Sequence, residues 1–337
     1  MDVLILGGTG FLGRHLVEAT LGSDHRVTLF NRGIKAPGLF PEVETIEGDR
    51  EVDLSALSGR RWDAAIDTCG YVPRVVRASA KTLADAVDHY TFVSSISVYS
   101  DAIAPGANED APVRELPDPT VEEVKGETYG GLKALCERAV EEEMPGRVLS
   151  VRPGLISGPH DPTERFTYWP RRIAAGGEVL APDRPERGVQ FIDVRDLAAW
   201  IIEMAAERRT GTFNATGPDY KLEMGQLLEV CKAVGVDAEL IWVSEDFLEE
   251  HGVEPFAELP LWVPREYAGL LDVDCGKAIE AGLTFRSLSQ TIEDVLEWDR
   301  ARAVGMEPAA GLTPEREQEL LRAWRGVTLK NAGCEMR

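Results

Sequence analysis

Long apolar runs, paired cysteines and an excess of basic residues are all missing from this sequence of 337 residues. Near the start the longest purely apolar run is residues 3–6, which follows the acidic Asp2 with no basic segment before it. That is too short for a secretory signal or a membrane span, so a soluble, cytoplasmic protein with no membrane partner is expected. The five cysteines (Cys69, Cys136, Cys231, Cys275, Cys334) are scattered, odd in number and form no C-x-x-C pair. Reduced structural thiols are expected rather than disulfides or a zinc site, and no metal is expected. With 36 Lys and Arg against 58 Asp and Glu, the formal net charge is -22. Such a field repels polyanions, so nucleic acid is not an expected partner; the acid surplus itself serves solubility.

What is present is a chain of 44% hydrophobic residues, enough for one large domain carrying a smaller one. Apolar, β-branched runs at 3–6, 26–30, 45–47, 64–67, 90–94 and 148–151 read as strands. Helical spacing at 11–20, 74–87 (with Pro73 at its start) and 127–143 supplies crossovers. That alternation predicts parallel βαβ units. Residues 100–126, rich in Pro, Ala, Asp and Glu, read as a long loop. A strand at 189–192, a helix at 194–207 and a tail helix from Pro314 to about Trp324, capped by Thr313, complete the pattern.

The first strand runs directly into Gly7-Gly8-Thr9-Gly10-Phe11-Leu12-Gly13, and helical spacing begins at once. In this setting a glycine loop predicts a pyrophosphate site: Gly7 permits the turn, Gly10 lets backbone N–H groups approach, and Gly13 lets the helix pack closely. The fold class expected is α/β, a doubly wound parallel Rossmann sheet with a smaller, mostly C-terminal α+β substrate domain. Its expected limits are 1–155 with 189–216 for the dinucleotide domain, 156–188 and 217–300 for the substrate domain, and 301–337 for a helical tail. The second strand ends Phe30-Asn31-Arg32-Gly33, with no carboxylate to repel a 2′-phosphate. Arg32, assisted by Arg50 after Asp49, would pair with that phosphate, which favours NADP, NAD being the alternative.

Tyr129 and Lys133 lie four apart and so share a helix face, where an ammonium favours the phenolate of a tyrosine that in water titrates near 10. Upstream, Ser94-Ser95-Ile96-Ser97-Val98-Tyr99 follows the strand at 90–94, at the carboxyl end where doubly wound sheets bind ligands.

The G-x-x-G-x-x-G loop, the S-S-x-x-V-Y segment, Tyr129-x-x-x-Lys133, Arg152-Pro153-Gly154-Leu155-Ile156-Ser157-Gly158-Pro159 and the segments at 187–197 and 213–217 together resemble the extended and atypical branches of the short-chain dehydrogenase/reductase superfamily. The resemblance covers most of the chain. It implies Ser95, Tyr129 and Lys133 as catalytic residues. It also implies dinucleotide contacts from the glycine loop and from Asn31, Thr68, Cys69, Gly70, Ser94, Pro153, Gly154 and Leu155. Ser97, His160, Arg165, Trp169, Arg187 and Gln190 are the candidate contacts to a small-molecule substrate. A homodimer through the helices at 74–87 and 127–143 is a further implication. Three departures narrow the activity: Leu155 replaces the asparagine that holds a substrate diphosphate in nucleotide-sugar enzymes, Ile96-Ser97 replaces the Asp-Glu of sugar dehydratases, and Asp67-Thr68-Cys69-Gly70-Tyr71 replaces H-x-A-A. That last segment resembles an atypical subgroup of reductases, epimerase-like enzymes and chloroplast stem-loop RNA-binding proteins. An NADP(H)-dependent carbonyl reductase or alcohol dehydrogenase is the first expectation. A sugar epimerase acting through transient oxidation is the second, and a non-catalytic dinucleotide- or RNA-binding protein the third.

Overall fold

The computed structural model describes residues 1–100, 103–234, 238–302 and 307–334, with side chains described as far as residue 327. The first half alternates as expected: β1 (Asp2–Leu6), α1 (Phe11–Gly22), β2 (Arg26–Asn31), β3 (Glu44–Glu47), β4 (Trp62–Asp67), α2 (Pro73–Leu83), β5 (Val87–Val93), α3 (Gly126–Glu143) and β6 (Val148–Pro153). Then follow β7 (Ile156–Ser157), α4 (Tyr168–Ala174), β8 (Gly177–Pro182), β9 (Ile192–Asp193), α5 (Val194–Ala206), β10 (Gly211–Ala215), α6 (Met224–Val234), β11 (Ala238–Val243), α7 (Glu245–Glu250), α8 (Gly276–Glu280), α9 (Leu288–Arg300) and α10 (Pro314–Cys334).

Two compact units result. The first comprises Met1–Ile156, Phe191–Asp219 and Asp272–Phe285; the second comprises Ser157–Gln190, Tyr220–Leu271 and Arg286–Arg337. In the first, seven strands form one sheet in the order β10-β6-β5-β4-β1-β2-β3, every pair parallel. Strand order reverses between β1 and β4, so the carboxyl ends of those strands open the crevice in which such sheets bind ligands. β1 is buried on both faces, which is why it reads as an unbroken apolar run. Val3 and Ile5 join Leu16, Val17 and Ile201 on the face of α1 and α5. Leu4 and Leu6 join Val76, Leu83 and Val140 on the face of α2 and α3. Each such side chain contributes about 1.5–3 kcal/mol on burial.

Several boundaries differ from the sequence pattern. The helix expected to reach residue 87 stops at Leu83, because the Ala86 carbonyl accepts a bond from Trp62 N–H at 2.9 Å and Val87 already opens β5. The strand expected at 189–192 shrinks to Ile192–Asp193, since the Asp193 carboxylate accepts from Arg195 N–H at 2.9 Å and caps α5. Residues 272–285, expected in the substrate domain, belong to the first unit: Asp274 N–H donates to the Ala107 carbonyl at 2.9 Å and Asn214 to the Asp274 carbonyl at 3.0 Å. The tail helix starts as expected, with Thr313 Oγ accepting from Arg316 N–H at 3.2 Å, but it runs to Cys334. It is integral to the second unit, where Glu317 accepts from Arg172 at 2.7 Å and from Leu180 N–H at 3.0 Å. That unit also contains the parallel pair β8 and β11.

Candidate active site

At the end of β1 the chain turns through Gly7 (φ +108°) and Gly8 (φ +90°), conformations that favour glycine. Gly13 brings α1 down onto the loop, for a Cβ there would lie 2.7 Å from Gly8 Cα. Gly10 is the opposite case: its backbone is ordinary (φ -82°) and a Cβ would meet nothing within 4 Å. It faces open space at the amino end of a twelve-residue helix that has no side-chain cap. Backbone N–H groups at such an end suit an anion. Leu12 is packed in the core, so only its backbone can face this space, while Thr9 and Phe11 are half-buried at its rim. Asn31 holds the loop from below, its amide donating to the Gly7 carbonyl at 3.1 Å and its Oδ1 accepting from Gly33 N–H at 2.8 Å. At the end of β5 the hydroxyl of Ser94 is buried and unpartnered. An open glycine, an uncapped helix and an orphaned hydroxyl along one sheet edge fit a dinucleotide.

The adenosine end departs from expectation. Arg32 is exposed after β2, as a phosphate reader requires. Arg50 is not available for that role. Its guanidinium is buried, donates to both oxygens of Asp67 at 2.6 and 2.7 Å and reaches Ser79 Oγ at 3.1 Å. Asp67 also accepts from Tyr90 O–H at 2.9 Å and from Cys69 N–H at 3.1 Å. Burial alone would raise its carboxyl; the Arg50 cation overrides this and holds it below the usual range. A carboxylate that sequence reasoning missed stands at the turn instead: a Cβ on Gly33 would lie 2.9 Å from Glu47 Oε1. Parallel pairing of Asn31 with Glu47 brings it there, and periodicity in β3 gives no hint of it. Asp49 is half-buried and accepts from Glu51 N–H at 3.0 Å.

The proposed chemistry gathers on β5 and α3. Ser95 caps a single 3₁₀ turn, Ile96–Val98, its hydroxyl accepting from Ser97 N–H at 3.1 Å and donating to Ser97 Oγ at 3.0 Å. α3 packs hard on this turn: a Cβ at Gly130 would strike the Ser97 carbonyl, and one at Gly131 would lie 2.5 Å from Leu116. The two glycines between Tyr129 and Lys133 are therefore set by close packing. One turn on, Lys133 is 3% exposed and its ammonium donates to the Gly70 and Val93 carbonyls, each at 2.8 Å. Val93 ends the strand that leads into Ser95, so Lys133 ties α3 to the serine segment. Two of its three protons are spent inward. Burial pushes the ammonium down to about 8, against the opposing pull of Asp67. Tyr129 is half-buried, with the ring of Tyr71 at 6.4 Å.

After β6, Pro153 leads to Gly154, where a Cβ would run into Thr216, and to Leu155, whose carbonyl accepts from Ile192 N–H at 2.8 Å. The other substrate candidates lie in the second unit. One is corrected there. Trp169 is fully buried, with its indole donating to the Pro260 carbonyl at 2.8 Å, and is framework. Arg187 is also buried, facing Glu245 at 3.5 Å, Asp183 at 3.6 Å and the Val263 carbonyl, while its Nε has no partner. His160, which accepts from Trp298 at 3.1 Å, and Arg165, 5.7 Å from the Phe256 ring, are exposed, and Gln190 is half-buried. No group of metal-binding side chains is found among the described residues, and no helix among them is long and apolar enough to cross a membrane.

Comparison with known proteins gives a family and a fold. A family model described as the NAD dependent epimerase/dehydratase family matches residues 3–61 and 56–216. The chain is 27% identical over 254 residues to a chloroplast stem-loop binding protein of 41 kDa from Arabidopsis thaliana, covering 69% of this chain and 63% of that one. It is 24% identical over 175 residues to a UDP-glucose 4-epimerase from Neisseria meningitidis, covering 42% and 48%. The chain thus spans about half to two thirds of the length of these curated relatives. A crystal structure of a UDP-glucuronic acid 4-epimerase from Bacillus cereus in complex with NAD superposes with a TM-score of 0.63 at 15% identity, over 89% of this chain and 99% of that one. At that identity the likeness shows the fold, in agreement with the α/β sheet expected from the sequence.

Proposed function

The chain belongs to the NAD dependent epimerase/dehydratase family, and from that premise we propose that it epimerises a small, polyhydroxylated substrate by transient oxidation of a secondary alcohol. The observation that supports this is the tie from Lys133, four residues after Tyr129 on α3, to Val93 at the strand end that leads into Ser95. The nicotinamide dinucleotide, when bound, supplies the acceptor and later the donor of a hydride. Tyr129 takes the alcohol proton as the carbonyl forms and, once the substrate has turned its opposite face to the dinucleotide, a proton returns from Tyr129 as the carbonyl is reduced with inversion, Ser95 O–H turning from Ser97 Oγ to donate to the same substrate oxygen. Lys133 holds a ribose hydroxyl with its remaining proton and lends its charge to the phenol. Gly7, Gly10 and Gly13, with Asn31 holding the loop, would seat the pyrophosphate.

Dehydration is not proposed, because Ile96 and Ser97 offer no acid or base beside Ser95. A second reading, net reduction of a carbonyl, is favoured by Leu155, an apolar residue where a diphosphate-holding amide would be needed. The test analyses the purified protein for bound dinucleotide, then follows nicotinamide absorbance with sugar nucleotides and a carbonyl panel. Retained dinucleotide and substrate interconversion without net absorbance change support epimerisation; stoichiometric consumption of reduced cofactor replaces it with the reductase.

For the dinucleotide, NAD is preferred over NADP. Glu47 places a carboxylate against Gly33, where it would accept from a ribose hydroxyl and repel a phosphate, and Arg50 is withdrawn into its pair with Asp67. The opposing feature is Arg32. Glu47→Gln should therefore raise NADP affinity relative to NAD, by about tenfold for a repulsion of about 1.4 kcal/mol; an unchanged ratio in calorimetric titration would return the choice to Arg32.

A further inference from the structure

Tyr71 ends the loop that follows β4, and although aromatic it is 45% exposed. The loop beneath it is pinned. Thr68 O–H donates to the Leu6 carbonyl at 2.9 Å, Cys69 N–H to Asp67 at 3.1 Å, and a Cβ on Gly70 would lie 2.6 Å from Phe92 and 2.7 Å from Val76. From this fixed base the ring stands 4.8 Å from Lys133 Nζ and 6.4 Å from the Tyr129 ring. The Phe92 ring lies 4.9 Å from the same nitrogen. Lys133 thus has carbonyl oxygens of Gly70 and Val93 as acceptors, aromatic faces of Phe92 and Tyr71 as walls, and of these only Tyr71 itself meets solvent.

We propose that Tyr71 is a positioning residue whose ring, rather than its hydroxyl, keeps water off the Lys133 ammonium and holds that charge dry beside Tyr129. The inference rests on the reading of Tyr129 and Lys133 as the proton-handling pair. The groups facing Lys133 explain why a roof matters. Asp67 is neutralised by Arg50 and Glu137 by Arg152, while Cys69 and Cys136 have thiols raised by burial. With the carboxylates already paired, dehydration dominates the lysine, and it titrates near 8 instead of 10.5. A dry charge also acts on a neighbouring phenol through a lower dielectric than a wet one. Removing the ring admits water, which stabilises the ammonium and weakens its pull. The lost cation–π attraction acts in the opposite sense but is the smaller effect, since burial is the largest influence on this group.

The experiment is an NMR titration of the full chain carrying ¹³C-labelled lysine, with the Lys133 signal identified by its absence in Lys133→Arg. Tyr71 is exposed on its outer side, so truncation opens no cavity in either core face. Tyr71→Phe is expected to reproduce the wild-type titration, and Tyr71→Ala to move Lys133 up by one unit or more, with kcat lowered about tenfold. The proposal is overturned if Tyr71→Ala titrates with wild type, or if Tyr71→Phe shifts as far as Tyr71→Ala. Because the titration needs no turnover, it separates this proposal from the catalytic one: activity surviving Tyr129→Phe removes the acid/base assignment and leaves the Lys133 readout to decide the role of Tyr71.

Discussion

Tyr129 is one oxygen away from being phenylalanine, and that difference isolates its role. Positioned acid/base groups contribute about 10²–10⁴-fold, so Tyr129→Phe should lower kcat by that factor while dinucleotide affinity stays within about twofold; stopped-flow turnover and fluorescence titration of the cofactor measure the two separately. Lys133 adds a pH dependence whose sign follows from its depressed value. Below about 8 it is charged and supports the phenolate; above about 8 it becomes neutral and that support is lost. Rates limited by proton transfer should therefore fall on an alkaline limb centred near 8, well below the limb an ordinary lysine would give. Four-residue spacing made it readable that Tyr129 and Lys133 share one helix, which α3 supplies, whereas Ser95 was singled out by the family resemblance and not by any local pattern. Arg50 was readable only as a cation at the end of β3. Its burial against Asp67 depends on where β4 lands, and no pattern within either segment encodes that. Arg50→Met should strand the Asp67 carboxylate and cost about 3–5 kcal/mol in denaturant unfolding, a loss far beyond what a surface phosphate reader would show.

At the scale of elements, the glycine loop separates binding from stability. Gly10→Ala fits its ordinary backbone and meets nothing within 4 Å, so unfolding should change by under about 0.5 kcal/mol. The new methyl would occupy the space proposed for the pyrophosphate, and dinucleotide affinity should drop by tenfold or more. Gly13→Ala reverses the pattern: its Cβ meets Gly8 backbone at 2.7 Å, and overpacking of this kind costs about 1–3 kcal/mol. Calorimetry and thermal melts on the pair would contradict the assignment if both variants lost stability alone. Strand, loop and helix were legible here because they follow one another within about one βα unit. The second unit was not. Its sheet joins β8 to β11 across some sixty residues of chain, and Val189, in a segment that alternates like a strand, makes an isolated backbone bond to Leu222 instead of extending a ladder. Alternation reports burial of every second side chain, and isolated bridges satisfy it as well as a strand does.

For the whole molecule, the charge of -22 bears on the likeness to a protein named for binding a chloroplast stem-loop. Polyanion binding draws its affinity from cations that release counterions from phosphates, so it needs basic side chains gathered and free to approach. Here many of the exposed arginines are already spent on carboxylates of their own unit: Arg26 on Asp2, Arg74 on Glu122, Arg77 on Glu142 and Glu143, Arg208 on Asp88. Freeing any of them for a phosphate would unpair an acid in a molecule that already carries a surplus of acids. Low salt sharpens the argument, because the Debye length grows from about 10 Å at 0.1 M to about 30 Å at 0.01 M and exposes an incoming phosphate backbone to more of the net repulsion. The expected result is that a labelled RNA hairpin shows no mobility shift with micromolar protein at either ionic strength, while NAD titrated into the same preparation gives a saturable calorimetric signal. A shift that strengthens as salt is lowered would show basic side chains acting together despite the net charge, and would replace the enzymatic reading with a nucleic-acid one.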